Sequence, residues 1–183
     1  MRTFIAVPVE KSLVPKILEL QQKFAEFGRV LKFVEPQNLH FTLKFLGEID
    51  EAKCEDVIKA LTPLFSGQQS FEIGIKGLGC FPSCARARVV WLGIESGGEE
   101  FIELARKVEN VLHAIGFPEE RAYSPHLTIF RVKARPQEKF LGILNQLKRA
   151  EIGKMRVKKI IFYRSLLKPN GPEYKPLYEW KLE

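Results

Sequence analysis

Two of the three histidines in this chain stand two residues before a threonine, His40 before Thr42 and His126 before Thr128. The chain has only four threonines, so two such pairs would arise by chance in about one sequence in a thousand. Imidazole has an unperturbed pKa of about 6.5, so at neutral pH one ring can accept a proton while the other donates one. A threonine hydroxyl adds a hydrogen-bond donor without charge. Such a set suits in-line attack at phosphorus, with a base on one side, an acid on the other and donors for the equatorial oxygens.

The residues around the first pair predict a β-strand that ends at a glycine. Alternation with a period of two puts His40, Thr42 and Lys44 on one face of this strand. The other face carries Phe41 and Phe45 and is expected to pack on helices. A similar stretch begins at the second histidine, so each pair should present its polar side chains to one opening.

The rest of the chain repeats one order of elements. Apolar spacings of three and four predict four helices, at residues 10–27, 50–65, 100–115 and 136–148. Alternating β-prone stretches predict strands at residues 3–8, 31–34, 39–47, 71–78, 89–94, 126–132, 155–163 and 174–182. Each half contains a helix, a His-x-Thr strand, a helix and a strand, in that order. We therefore predict a bilobal α/β (α+β) fold with pseudo-twofold symmetry, two antiparallel sheets facing a central cleft and helices outside.

The charge balance is basic, with 29 Lys and Arg against 22 Asp and Glu and a net charge of +7. A mixed surface with a lysine surplus accounts for this excess, and so does a field that attracts phosphates or nucleic acid. No apolar run has the length of a bilayer span. The apolar start of the chain ends at Glu10, which is too early for a signal peptide. We therefore expect a cytoplasmic protein without a membrane partner.

Neither motif is accompanied by a dense cluster of acidic residues, which disfavours a metal-dependent phosphatase. We expect no metal and no cofactor. Of the three cysteines, Cys80 and Cys84 lie four apart around Pro82, and Cys54 falls in a helical pattern. A structural zinc site needs four ligands, and the motif histidines already belong to another pattern. We therefore favour reduced and partly buried thiols over a zinc site.

Five stretches of the chain match a known family in order and from end to end. They are residues 2–6 (RTFIA), 40–47 (HFTLKFLG), 90–93 (VWLG), 124–129 (SPHLTI) with Arg131, and 163–174, which begins YRS and ends GP-x-Y. By these residues the chain resembles the RNA 2′,3′-cyclic phosphodiesterases, also called 2′-5′ RNA ligases, of the two-histidine (2H) phosphoesterase superfamily. The resemblance implies one domain, residues 1–183, made of two interlocked pseudo-symmetric lobes.

The resemblance also implies a metal-free enzyme that opens the 2′,3′-cyclic phosphate of an RNA end to a 2′-phosphate. Some members also join tRNA halves through a 2′-5′ bond. By the same resemblance His40 donates a proton to the leaving 3′ oxygen, His126 activates water, and Thr42 and Thr128 hold phosphate oxygens. The sequence is equally consistent with the opposite assignment, in which His126 is the acid and His40 is the base. The implied partner is RNA with a cyclic phosphate end, including tRNA halves, and we expect a monomer.

Three further residues are candidates for substrate binding. Arg131 lies five residues after His126, an odd offset that points it away from the cleft unless a bulge or the strand end brings it back to the phosphate. Lys44 has the right parity, although a merely solvated lysine fits as well. Phe81 is placed to stack a base from its loop or to pack as part of a lid. His113 lies in a helical pattern and is expected to be an ordinary surface or partly buried histidine.

Two alternatives remain open. A non-catalytic RNA-binding module would need paired exposed aromatics on central strands, whereas the repeated polar residues here are histidine and threonine. Another member of the same superfamily, acting on a small cyclic nucleotide or a nucleotide-sugar cyclic phosphate, would share the motif. The product formed from an RNA with a cyclic phosphate end discriminates between these hypotheses.

Overall fold

A computed structural model describes residues 1–120 and 122–183. The strands are β1 (Arg2–Pro8), β2 (Leu31–Phe33), β3 (His40–Glu48), β4 (Phe71–Phe81), β5 (Val89–Ile94), β6 (Leu127–Val132), β7 (Glu151–Val157), β8 (Lys159–Lys168) and β9 (Gly171–Lys181). The helices are α1 (Val14–Gln22), α2 (Glu51–Ser66), α3 (Gly98–Ala114) and α4 (Glu138–Gln146). The first helix is shorter than predicted because 3-10 turns at Lys11–Leu13 and Ala25–Phe27 flank it. Among the described residues no helix combines the length and the apolar character needed to cross a membrane.

The strands form one curled antiparallel sheet in the order β7-β4-β5-β6-β3-β1-β8-β9, with β2 paired to β6. Its two halves are arranged alike, since each runs outward from a His-x-Thr strand through three more strands. The halves meet at a single residue pair, Phe41 of β3 and Leu127 of β6. The predicted α/β fold with a duplicated arrangement is confirmed. The two sheets that the sequence predicted are joined at this one residue pair into a single sheet.

One predicted strand, residues 155–163, is two strands in the structure. The chain leaves β7 at Val157 and enters β8 at Lys159, and these strands lie in different halves of the sheet. The prediction was wrong because an unbroken β-prone stretch does not reveal a change of partner. The signal was the consecutive pair Lys158 and Lys159, where the alternation of buried and exposed residues is interrupted.

Helices hold the backs of both His-x-Thr strands through aromatic contacts. Phe24, just after α1, packs against Phe130 of β6 and Phe140 of α4, with ring centroids 4.9 and 5.6 Å apart. Phe101 of α3 lies 5.4 Å from Phe41 of β3. All five rings are buried, and burial of each contributes about 1.5–3 kcal/mol. This packing leaves the opposite face of the two strands free to line a cavity.

A β-bulge follows the threonine of the first motif. Along β1, Ala6 pairs with Thr42 but the neighbouring Ile5 pairs with Lys44, so Leu43 is an extra residue in β3. A bulge of this kind shifts the side chains that follow it to the opposite face, and in β3 this holds as far as Leu46, where the pairing with β1 shifts a second time.

The second motif carries the same irregularity at the same place. Trp91 of β5 pairs with Thr128 and the neighbouring Val90 pairs with Phe130, so Ile129 is the extra residue of β6. Both strands therefore keep the predicted alternation only as far as the threonine.

The bulge in β3 overturns the prediction for Lys44, which points away from the cleft. Lys44 is 3% exposed, and its Nζ donates to Glu109 Oε1 at 2.9 Å and to the Pro118 carbonyl at 2.7 Å. Phe45, predicted to pack on helices, is instead 61% exposed and faces the cavity. Lys44 is thus a partner of a shielded carboxylate on α3 and not a substrate-binding residue.

Replacing Lys44 with Met should lower the free energy of unfolding by about 3 kcal/mol, because the shielded Glu109 carboxylate loses its counter-charge. The double variant Lys44→Met/Glu109→Gln is the matched control, and it should recover part of the loss because no uncompensated charge remains. Urea denaturation followed by circular dichroism measures both. A Lys44→Met protein as stable as the wild type would contradict the assignment.

Candidate active site

Both His-x-Thr pairs line one cavity of about 600 Å³ between the two halves of the sheet. His40, Thr42, His126 and Thr128 all contribute to its wall. The volume lies within the range of small-molecule sites. The structure thus brings together the four residues that the sequence singled out.

The His40 ring is fixed by a hydrogen bond to the backbone. Its Nδ1 lies 2.6 Å from the Asn38 carbonyl oxygen, and a carbonyl only accepts, so Nδ1 carries the hydrogen and donates it. In the neutral ring Nε2 therefore holds the lone pair, and it lies 3.1 Å from Thr42 Oγ1. The side chain is set to exchange a proton through Nε2.

The His126 ring is fixed in the same way. Its Nδ1 donates to the Ser124 carbonyl oxygen at 2.8 Å, again two residues back along the chain. Its Nε2 is therefore the free nitrogen of the neutral ring. The two halves thus prepare two imidazoles with the same tautomer at one cavity.

The surroundings of His40 are apolar. The rings of Phe4 and Tyr174 lie 5.1 and 5.3 Å from it. Burial lowers the pKa of His40 to about 4, and the charges of protonated His126 and of Arg131 add to the lowering. In the free protein His40 is therefore neutral at pH 7.

Arg131 lines the cavity despite its odd offset from the motif histidine. The bulge at Ile129 brings it to the cleft face, which is the condition the sequence left open. Phe45 occupies the same place in the other half, five residues after His40, and also lines the cavity. The sequence reasoning missed Phe45, although the equal offsets from the two histidines were a usable signal.

Phe81 contacts the site from its edge. Its ring lies 5.0 Å from the His126 ring in an edge-on arrangement and 5.1 Å from Trp91. Phe81 is not among the residues that line the cavity. A Cβ at Gly79 would collide with the Trp91 ring, so this glycine lets Trp91 lie across β4 beside the histidine. Phe81 therefore packs against His126 at the edge of the site and does not form part of the cavity wall.

The β8–β9 hairpin closes one side of the cavity and was not foreseen in this role. Asn38 Nδ2 donates to the Pro172 carbonyl at 2.9 Å, and Lys32 Nζ donates to the Asn170 carbonyl at 2.9 Å. Asn38 also accepts the His40 hydrogen bond through its own carbonyl. The hairpin and the His40 ring are thus held by one residue.

The structure also describes the three cysteines and the third histidine. The sulfurs of Cys80 and Cys84 are bonded to each other, so the prediction of reduced thiols was wrong for this pair. The turn through Pro82 brings their Cα atoms to 4.9 Å, which is within disulfide range. Cys54 is a buried free thiol, as expected. His113 is exposed on α3, and its Nδ1 bonds the Phe117 carbonyl at 3.1 Å.

The chain matches the model of one protein family, described as LigT-like phosphoesterase, over residues 7–91 and again over residues 92–174. Each matched segment holds one His-x-Thr pair. The duplication that the sequence suggested is therefore also present in the family comparison.

Curated relatives match over the full length. The RNA 2′,3′-cyclic phosphodiesterase of Methanothermobacter thermautotrophicus is 38% identical over 183 residues, which cover 100% of this chain and 99% of the relative. The protein of the same name from Thermotoga maritima is 36% identical over 183 residues, which cover 100% of this chain and 96% of the relative.

Solved structures share the fold. TT0787 of Thermus thermophilus has a TM-score of 0.84 at 29% sequence identity, covering 100% of this chain and 98% of the other. E. coli LigT complexed with 3′-AMP has a TM-score of 0.77 at 23% identity, covering 99% of this chain and 97% of the other.

The low pKa of His40 can be measured directly. In the free protein we expect the His40 imidazole to titrate with a midpoint near 4, and to titrate higher when inorganic phosphate fills the cavity, because an anion favours the imidazolium form. NMR titration of the ring signals measures both midpoints, and the His40→Gln variant assigns the resonance. A midpoint that phosphate leaves unmoved would contradict the placement of the anion beside this ring.

Proposed function

We propose that this chain, which belongs to the LigT-like phosphoesterase family, hydrolyses the 2′,3′-cyclic phosphate of an RNA end to a 2′-phosphate. One observation carries the proposal. Two imidazoles face one cavity, and each is held by its Nδ1 on the carbonyl two residues back, so that both Nε2 atoms are available for proton transfer. Residues 1–183 would act as one domain of two interlocked lobes.

In the proposed reaction His126 is the base and His40 the acid. His126 Nε2 takes a proton from water as the water oxygen forms its bond to phosphorus. The bond from phosphorus to the 3′ oxygen breaks, and His40 Nε2 supplies the proton that this oxygen needs. His40 is neutral in the free protein, so it must gain its proton in the complex, where the phosphate anion beside it raises its pKa. Proton exchange with solvent then restores both rings.

The remaining groups of the cavity would hold the phosphate and the nucleoside. Thr42 and Thr128 offer hydroxyl donors to the non-bridging oxygens, and Arg131 offers a planar fork that suits two of these oxygens at once. Phe45 and Tyr174 supply apolar surface for the ribose and the base. Donors for the phosphate charge would therefore lie beside apolar surface for the ribose and the base.

Replacing either motif histidine with Ala should lower kcat by about 10²–10⁴-fold, as expected for loss of a general acid or base. The substrate is a short RNA ending in a 2′,3′-cyclic phosphate, with chelator present, and the product is separated by chromatography. His113→Ala is the matched control and should keep full activity, because this exposed ring lies on α3 away from the cavity. A 3′-phosphate product would overturn the mechanism.

The acid and base labels have a separate test. A substrate with sulfur in place of the 3′ oxygen releases a thiolate that needs no proton. His40→Ala should then recover most of its lost rate, whereas His126→Ala should not, because water still requires its base. Recovery in His126→Ala alone would show that the two roles are exchanged.

A further inference from the structure

Four cationic side chains surround a second cavity, of about 380 Å³, at the end of β5 and β6. We call Arg86, Arg88, Lys133 and Arg135 the basic patch. All four side chains are exposed. The residues that line this cavity include no carboxylate, and none of the four cations belongs to an ion pair among the described residues. Their charge is therefore available to an anion from outside.

The backbone of β5 and β6 connects the basic patch to the first cavity. Arg131, which lines the first cavity, is followed along the chain by Val132, whose N–H donates to the Arg88 carbonyl at 2.9 Å. Lys133 follows two residues after Arg131, a separation of about 7 Å along an extended chain. Arg88 in turn donates its N–H to the carbonyl of Phe81, the residue beside His126. The patch thus lies at the end of the same two strands as the His126 side of the cavity, within a few residues of Arg131 and Phe81.

At the equivalent positions, the other half of the sheet lacks these cations. Aligning the two strands at their bulges makes Gly47 the counterpart of Lys133 and Glu48 the counterpart of Ala134. Thr3 is the counterpart of Arg88 and is buried. The His40 half does contribute the exposed Arg2 to the wall of the first cavity, but the four cations of the basic patch lie together at the end of β5 and β6. Such a cluster suits a ligand that extends from the cavity toward this end of the two strands. A nucleic-acid strand leaving an enzyme that acts on its end is such a ligand.

We propose that the basic patch binds the phosphodiester backbone of the RNA strand that leads to the nucleotide in the cavity. This inference rests on the proposed function and adds to it a second site for the same substrate. Exposed cations along a groove attract a single strand without reading its sequence, and each phosphate contact adds to the salt dependence of binding. The patch would therefore favour polynucleotide ends over cyclic mononucleotides.

The test compares two substrates, adenosine 2′,3′-cyclic phosphate and an RNA of about ten nucleotides with the same end. In Lys133→Gln/Arg135→Gln, kcat/KM for the RNA should fall about tenfold at low salt, and its slope against log salt concentration should flatten by about 1.4, the value for two lost single-strand contacts. The value of kcat/KM for the mononucleotide should stay within about twofold, since the catalytic groups are untouched. Arg86→Gln/Arg88→Gln repeats the measurement from the other side of the cavity.

Lys59→Gln/Lys158→Gln is the matched control, because it removes the same charge at two exposed positions outside both cavities and outside any ion pair among the described residues. This control should leave kcat/KM unchanged for both substrates. Equal losses in the control and the patch variants, equal losses for both substrates, or no loss at all would overturn the patch while leaving the hydrolysis in place. A wild-type protein that hydrolyses neither substrate would instead overturn the proposed function itself.

Discussion

The meeting of β3 and β6 at Phe41 and Leu127 is the constraint on which the site depends. Both side chains are fully buried on the helix side, so the residues on either side of each face the cleft. Because the strands are antiparallel, this register sets His40 toward Thr128 and His126 toward Thr42. One buried apolar pair therefore places two histidines and two threonines around one point. A shift of one residue in either strand would turn its histidine into the core.

The sequence predicted this arrangement as far as local alternation holds. His40 and Thr42 share a face because no irregularity separates them, and the same is true of His126 and Thr128. Beyond each threonine the bulge reverses the alternation, which put Lys44 on the wrong face and left Arg131 undecided. A bulge depends on how the neighbouring strand pairs, and pairing of β3 with β1 joins residues distant in the sequence. The equal distance in sequence from His40 to Phe45 and from His126 to Arg131 was the only local sign of the two bulges.

The duplicated frame carries unequal chemistry. His40 lies among Phe4 and Tyr174 and is kept neutral by burial, whereas the edge of His126 meets Phe81 near the surface. At the equivalent positions after the two bulges one half presents Phe45 and the other Arg131. An acid and a base need different surroundings, and so do the two ends of a nucleotide. In the proposed reaction the two similar strands thus carry different tasks, because the side chains around them differ.

The neutral state of His40 ties catalysis to the charge of the ligand. Burial, more than the charges of protonated His126 and of Arg131, disfavours a proton on this ring in the free protein, and a phosphate anion bound beside the ring would favour the imidazolium form. The acid of the proposed reaction is therefore formed by the substrate it acts on. A neutral ester that filled the same cavity would gain the apolar contacts of Phe45 and Tyr174 but would leave His40 without its proton. Under the proposed mechanism an anionic phosphodiester would therefore be selected in the catalytic step as well as in binding.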